Sequence, residues 1–153
     1  TTNCMGNPVG AMSGLGSHGQ ADNPQARRLK MLIAREVVQV GIAMGYRIES
    51  ISGLNPEIWL NLNQADAFLQ IDNRLQVKGR TDWHASMAQD VMKGRRTEID
   101  YLNGLVARNG RAVGVPTPFN DKAIVLIHDI ESQKRSPSPN IIAEVLNTPS
   151  CNP

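Results

Sequence analysis

A long stretch with helical spacing of its apolar side chains constrains the fold of this 153-residue chain most. It opens with Asn23-Pro24, a capping residue followed by proline at the first helical position, and Gly45 supplies a stop signal. The apolar residues between these signals recur at intervals of four, four and three, which fits a period of 3.6 residues. They are Leu29, Ile33, Val37 and Val40. The spacing predicts a helix over residues 24–44.

Three further helix-start signals lie between residues 55 and 97. Asn55-Pro56-Glu57 repeats the first signal and predicts one or two helices that reach residue 75. Ser86 and Thr97 each stand three positions before a side chain that can complete reciprocal N-terminal capping. A helix is therefore predicted to begin at each of them, and the second is expected to run to about residue 110.

The last third of the chain also favours helices. Apolar spacing predicts a helix over residues 119–133, since the run is long and has no partner strand. Ser136-Pro137-Ser138-Pro139 resembles a linker, and a short helical turn is expected over residues 141–146. The expected fold class is all-α, with a helical domain over residues 1–135 and a Pro/Ser linker and C-terminal tail over residues 136–153.

Residues 14–19 match G-x-G-x-x-G, a spacing typical of dinucleotide-binding turns. That motif works after a buried strand, with the pyrophosphate at the start of the following helix. The residues before Gly14 have no strand character. A flexible loop is therefore the favoured interpretation.

Asn3 and Asn7 are four residues apart, so a helix would place both carboxamides on one face, where they could hold one small polar ligand. Pro8 would kink that helix, because it cannot donate to the carbonyl of Cys4. From the pattern alone, an Asn-Pro turn is favoured over the helix.

Ser86 and Glu98 both have structural explanations. Ser86 is expected to be an N-cap, a position that could also lie beside a bound carboxylate. Glu98 is expected at the first position of the next helix, where the helix dipole favours a surface carboxylate. The spacing does not identify either residue as catalytic.

Charge and residue types argue against several functions. The formal net charge is +2, and the nearest basic cluster, Arg27, Arg28 and Lys30, is expected to be a solvated helix face, so nucleic acid is not expected as a partner. The three histidines are scattered, so no metal is expected.

Cys4 and Cys151 are far apart in the chain, which favours a reducing cytoplasm. No apolar run approaches the ~18 residues of a membrane span.

One motif carries a family resemblance. Residues 86–104 read SMAQDVMKGRRTEIDYLNG and resemble the ketopantoate reductase (2-dehydropantoate 2-reductase) C-terminal signature SM-x-QD, a short basic stretch, then TEID-x-x-NG. The loop GVPTPFN at 114–120 and NCMGNP at 3–8 are also similar to family segments. Residues 17–81 resemble the sequences of this family only loosely.

The resemblance implies a multi-helix domain of the 6-phosphogluconate-dehydrogenase-like type, with the Rossmann domain absent from this chain. It implies NADPH-dependent reduction of a 2-keto acid to a 2-hydroxy acid, in pantothenate biosynthesis if the substrate is ketopantoate. NADPH would be bound mainly by the N-terminal Rossmann domain, and the protein is expected to be a homodimer. The 153-residue chain is expected to be a fragment that is inactive alone.

The resemblance also implies residue roles. Asn3, Asn7 and Ser86 would bind substrate, and Glu98 would be catalytic, binding the cofactor or the substrate near a general-acid lysine. That lysine matches a position four residues before Asn3, ahead of Thr1.

Two departures from the family pattern leave the 2-keto acid open: Ser17 stands where an asparagine is frequent, and Trp83 replaces a small polar residue. The alternative hypothesis is a stand-alone helical dimerisation or binding module that has lost the chemistry.

Overall fold

The computed structural model describes residues 1–148, and these fold into helices with one isolated β-bridge between Ile51 and Leu54. The all-α prediction is confirmed. The helices are α1 (Thr2–Ser13), α2 (Ser17–Asp22), α3 (Pro24–Ala43), α4 (Pro56–Leu60), α5 (Ala65–Leu75), α6 (Ser86–Met92), α7 (Asn103–Val113), α8 (Pro118–Glu131) and α9 (Asn140–Leu146). Cys151 and the rest of the expected tail beyond residue 148 lie outside the described residues.

α1 and α3 form the centre of the domain. Met12 of α1 and Leu29 and Ile33 of α3 are fully buried in one core, to which α6, α8 and α9 also contribute. The prediction of α3 is confirmed, because Asn23 caps it as expected and accepts from the backbone N–H groups of Gln25 and Ala26 at 2.9 and 3.1 Å. This packing places α1, which carries both candidate asparagines, against the start of α6.

The other Asn-Pro start signal and the two helices of the last third are also confirmed. Asn55 caps α4 by accepting from the backbone N–H of Glu57 at 3.0 Å. The predicted segments 119–133 and 141–146 correspond to α8 and α9. Ile141, Ile142 and Val145 of α9 are buried in the common core. The domain boundary at residue 135 remains a prediction.

The predicted Asn-Pro turn at Asn7-Pro8 is wrong, because Pro8 lies inside α1. Proline has no N–H, so it cannot bond to the carbonyl four residues earlier, that of Cys4. Asn103 fills this gap from α7, since its Nδ2 donates to the Cys4 carbonyl at 2.9 Å. A side chain 99 residues away thus satisfies the interrupted helix.

The predicted loop over residues 14–19 is wrong for residues 17–19, which belong to α2, whereas residues 14–16 lie between helices. Gly14 ends α1 in the left-handed conformation, with φ 73°, and α2 begins at Ser17. Asp82 holds the start of α2 by accepting from the Ser17 hydroxyl at 3.0 Å and from the His18 backbone N–H at 2.8 Å. The glycines therefore serve a tight junction between two helices.

The helix expected from Thr97 begins instead at Asn103, after a series of turns over residues 97–102. The Thr97 hydroxyl accepts from the backbone N–H of Ile99 at 3.2 Å, and the Thr97 backbone N–H donates to Glu131 of α8 at 2.7 Å. Glu98 is therefore a turn residue and not the first residue of a helix.

The basic cluster at the start of α3 is not a solvated face throughout. Arg27 is buried and forms an ion pair with Asp72 of α5, with Nε 2.7 Å from Oδ1. The Arg27 guanidinium holds the pKa of Asp72 below its usual value. This pair fixes α5 against α3 on one side of the candidate site.

A buried polar network joins α3, α7 and α8 beneath α1. Glu36 of α3 accepts from the backbone N–H groups of Phe119 and Asn120 at 3.0 and 2.9 Å and from Asn120 Nδ2 at 2.6 Å. Asn103 donates to Asn120 Oδ1 at 2.8 Å. All the members except Phe119 are buried polar or charged side chains. The network therefore determines how α7 meets both α1 and α8.

None of the helices within the described residues is both long and apolar enough to cross a membrane.

Candidate functional site

The Ser86 side chain is not used to cap α6. Ala85 occupies the N-cap position and Ser86 is the first helical residue. Gln89 does not complete a reciprocal cap either: among the described residues its side chain makes one hydrogen bond, donated by Nε2 to the carbonyl of His84 at 2.9 Å. The predicted cap at Ser86 is wrong, and its hydroxyl is left for contacts outside the helix.

Asn7, Ser86 and Glu98 meet in one hydrogen-bonded cluster. The Ser86 hydroxyl donates to Glu98 Oε1 at 2.9 Å, and Asn7 Nδ2 donates to the same oxygen at 3.2 Å. Asn7 Nδ2 is also 3.4 Å from Ser86 Oγ. Three of the four residues identified by the family resemblance therefore come together, although Asn7 is 91 residues from Glu98.

The three members differ in exposure. Asn7 is buried, Glu98 is half-buried and Ser86 is exposed. Within the part of the chain that the structure describes, Glu98 Oε2 makes no hydrogen bond, so it can accept from a ligand or face a cation. The cluster thus combines amide and hydroxyl groups with a carboxylate at the domain surface.

Asn3 lies one turn before Asn7 on α1 and is exposed, with no side-chain hydrogen bond to any residue in the range 1–148. Both asparagines line one cleft of about 440 Å³, together with Ser17 and Trp83. Asn7 belongs to the cleft and to the cluster with Ser86 and Glu98. Asn7 therefore connects the cleft that contains Asn3 with the cluster that contains Ser86 and Glu98.

Ser17 and Trp83, the two departures from the family pattern, also contact each other. The Ser17 backbone N–H donates to the Trp83 carbonyl at 2.8 Å, and the Trp83 backbone N–H donates to the Ser17 hydroxyl at 3.2 Å. Because the Ser17 hydroxyl already serves Trp83 and Asp82, it is poorly suited to replace a substrate-binding amide. The Trp83 side chain is 58% exposed and presents an aromatic surface to the cleft.

Ser86→Ala is expected to change the free energy of unfolding by no more than ~0.5 kcal/mol, because an exposed side chain that caps no helix contributes little. Asn23→Ala is the matched control and should cost ~1 kcal/mol, the usual effect of losing an N-cap. Urea unfolding followed by circular dichroism measures both. A loss in Ser86→Ala as large as that in Asn23→Ala would contradict this assignment.

No group of three or more metal-ligating side chains occurs among residues 1–148.

A sequence profile of the family ketopantoate reductase PanE/ApbA C terminal matches residues 1–131. The chain is 33% identical over 111 residues to a 2-dehydropantoate 2-reductase of Pyrobaculum aerophilum, covering 72% of this chain and 33% of that protein. It is 30% identical over 115 residues to a 2-dehydropantoate 2-reductase of Aquifex aeolicus, covering 75% and 33%. The chain thus spans about a third of the length of these curated relatives.

Solved structures give the same result for the fold. A PanE/ApbA family ketopantoate reductase from Ralstonia eutropha superposes with a TM-score of 0.64 at 27% identity, covering 86% of this chain and 39% of that chain. A D-mandelate dehydrogenase in complex with NADH and anilino(oxo)acetate superposes with a TM-score of 0.66 at 23% identity, covering 86% and 38%. At that identity, the second likeness supports the fold alone.

Proposed function

This chain belongs to the ketopantoate reductase family, as its C-terminal domain, and from that membership we propose that it provides the substrate-binding side of an NADPH-dependent reductase. The reaction would convert a 2-keto acid to a 2-hydroxy acid. The observation that carries the proposal is the cluster in which Asn7 and Ser86 both donate to one oxygen of Glu98. Pairing of a buried amide, a hydroxyl and a carboxylate at a cleft is typical of a polar ligand site.

The residues of the cluster suit the parts of a 2-keto acid. Amide N–H groups of Asn3 and Asn7 can donate to the carbonyl or hydroxyl oxygen, and the Ser86 hydroxyl can donate to the carboxylate when it rotates away from Glu98. During reduction the carbonyl oxygen gains negative charge, and donors directed at it stabilise the transition state. Asn3 and Asn7 are therefore proposed to bind the reacting oxygen, and Ser86 the carboxylate.

Glu98 is proposed to hold a cation close to the reacting centre. The family resemblance implies a general-acid lysine four residues before Asn3, and a further turn of α1 would place it on the face that carries Asn3 and Asn7. A carboxylate that faces such an ammonium keeps it protonated and oriented. The oxygen Oε2, which is free of hydrogen bonds among the described residues, would serve this cation.

The G-x-G-x-x-G turn of this chain does not fit the pyrophosphate of NADPH, the cofactor that supplies the hydride when bound. The only G-x-G-x-x-G sequence joins α1 to α2, and a Cβ at Gly16 would lie 2.5 Å from the Asp82 carboxylate, so this turn already holds an anion. A phosphate there would be repelled. We therefore assign the binding of NADPH mainly to a Rossmann domain outside this chain, with Glu98 at the reacting end of the cofactor.

Three further proposals depend on the family relationship. We propose a homodimer, a cytoplasmic location and, if ketopantoate is the substrate, a role in pantothenate biosynthesis.

NADPH oxidation by the full-length protein over a panel of 2-keto acids tests the proposal. Turnover with at least one acid is expected, with ketopantoate and an aromatic 2-keto acid as the first two candidates because Trp83 lines the cleft. The 153-residue chain alone is expected to give no turnover and to remain helical by circular dichroism. Absence of turnover with every acid would favour the stand-alone module.

A further inference from the structure

The cleft beside Asn7 is lined by cations without any acidic side chain. Lys30, Arg74 and Lys78 all contribute to its wall, and no Asp or Glu lines it among residues 1–148. Such a surface attracts anions. The three cations differ in whether they already have partners within the domain.

Two of the cations already have partners. Lys78 forms an ion pair with Asp22, with Nζ 2.6 Å from Oδ1, and Arg74 Nε donates to the carbonyl of Ser52 at 2.7 Å. Both partners come from the domain itself. The charge of Lys78 is therefore neutralised within the domain, and the exposed Arg74 has a hydrogen-bond partner and contact with solvent.

Lys30 differs from both. It lies on α3 between the buried residues Leu29 and Met31, is half-buried, and forms no hydrogen bond or ion pair with any residue between Thr1 and Thr148. The neighbouring cation Arg27 forms an ion pair with the carboxylate of Asp72. A partly desolvated ammonium without a counter-ion is unfavourable, and a bound anion would relieve it.

We infer that Lys30 is the counter-ion for an acidic group, carboxylate or phosphate, of the molecule that enters this cleft. The inference deepens the proposed function and depends on it only for the source of the anion, which is a 2-keto acid or a phosphate of the cofactor. Burial, and secondarily the charge of Arg27, lowers the pKa of Lys30 to about 8. The side chain is therefore still mostly protonated at pH 7 and can bind an anion.

The lysine amines report binding directly. The chain has five lysines, so reductive methylation with ¹³C-formaldehyde gives a simple NMR spectrum in which a Lys30→Arg variant identifies one signal. The probes are pyruvate, inorganic phosphate and NADP⁺. Saturable movement of the Lys30 signal is expected with at least one of them. Preference for pyruvate identifies the keto acid as the source, and preference for phosphate or NADP⁺ identifies the cofactor.

Lys30→Met tests the contribution of the charge. This change keeps the length of the side chain and should leave the fold intact, because it removes a partly buried charge. It is expected to weaken binding of the preferred probe at least ~10-fold, equivalent to ~1.4 kcal/mol, measured by fluorescence of Trp83 in the cleft wall. Lys78→Met, at the same cleft but already paired, should weaken it less than ~3-fold.

The inference is overturned if the Lys30 signal does not move with any probe, or if both methionine variants lose the same affinity. The latter would indicate a general effect of positive charge. Failure of the proposed function is a separate result: the full-length protein would not oxidise NADPH, whereas Lys30 would still bind an anion.

Discussion

Glu98→Gln is expected to lower kcat/KM of the full-length reductase by at least ~10-fold, or ~1.4 kcal/mol of transition-state stabilisation. Glutamine keeps the size of the side chain, and its amide oxygen can still accept from Asn7 and Ser86, so the cluster keeps its shape. Only the negative charge is lost. Under the proposed mechanism this charge holds the general acid, so the effect should appear in turnover. Steady-state NADPH oxidation measures it.

Two controls separate this effect from a loss of folded protein. The melting temperature of Glu98→Gln should hardly change, and Glu49→Gln, at an exposed position, should retain full activity. Ser86→Ala should mainly raise KM, because its proposed contact is with a carboxylate whose charge does not change during the reaction. Wild-type kcat/KM in Glu98→Gln would remove Glu98 from the mechanism.

Glu36→Ala is expected to lower the free energy of unfolding by ~3–5 kcal/mol, the second large effect. Glu36 is 2% exposed and accepts three hydrogen bonds from Phe119 and Asn120 at the start of α8. Its removal leaves buried donors without partners and creates a cavity, and both are costly. Urea unfolding of the 153-residue chain measures the loss. Gln39→Ala, an exposed position of the same helix, should change stability by no more than ~0.5 kcal/mol.

The same carboxyl group gives stability a defined pH dependence. Burial, opposed by the three hydrogen bonds, raises the pKa of Glu36 from 4.5 to about 7 in the fold. Between these values the folded chain binds a proton that the unfolded chain has lost, so this contribution to stability is full below pH ~4.5 and is lost as the pH rises through about 7. Urea unfolding across this range should show the decline in the wild-type chain but not in Glu36→Gln.

The helices that sequence predicted well are those whose start signals are local. Asn23 and Asn55 cap the residues that directly follow them, so the signal and its partner lie within one turn. The helix in which Pro8 lies could not be predicted in this way. Its interrupted hydrogen bond is satisfied by Asn103, which only the folded chain brings near.

A helix begins at Ser86 as predicted but without the predicted cap, and the helix predicted from Thr97 begins later, at Asn103. Gln89, expected to complete the cap with Ser86, bonds to His84, and Ala85 becomes the N-cap. Thr97 is drawn into a turn because Glu131 of α8 accepts from its backbone N–H. The contact that replaces the first predicted cap is therefore local, whereas the contact of Thr97 is a tertiary one.

The candidate site depends on residues far apart in the chain. Asn7 and Ser86 are 79 residues apart, so their meeting could not be read from spacing, and only the family motif identified them. Lys30 was missed because the sequence places it beside Arg27 and Arg28 in what resembles a solvated face. Its distinguishing property is the lack of a partner within the described chain, whereas Arg27 is paired with Asp72.

The position of the substrate in the full-length protein tests the central claim, the proposed reductase site, most directly. A crystal structure with NADP⁺ and the 2-hydroxy acid product would provide it. We expect oxygen atoms of the acid within about 3.5 Å of Asn7 Nδ2 and Ser86 Oγ, with the carbon that carries the hydroxyl group facing the nicotinamide. An active enzyme whose product lies beyond reach of both side chains would contradict the proposed site.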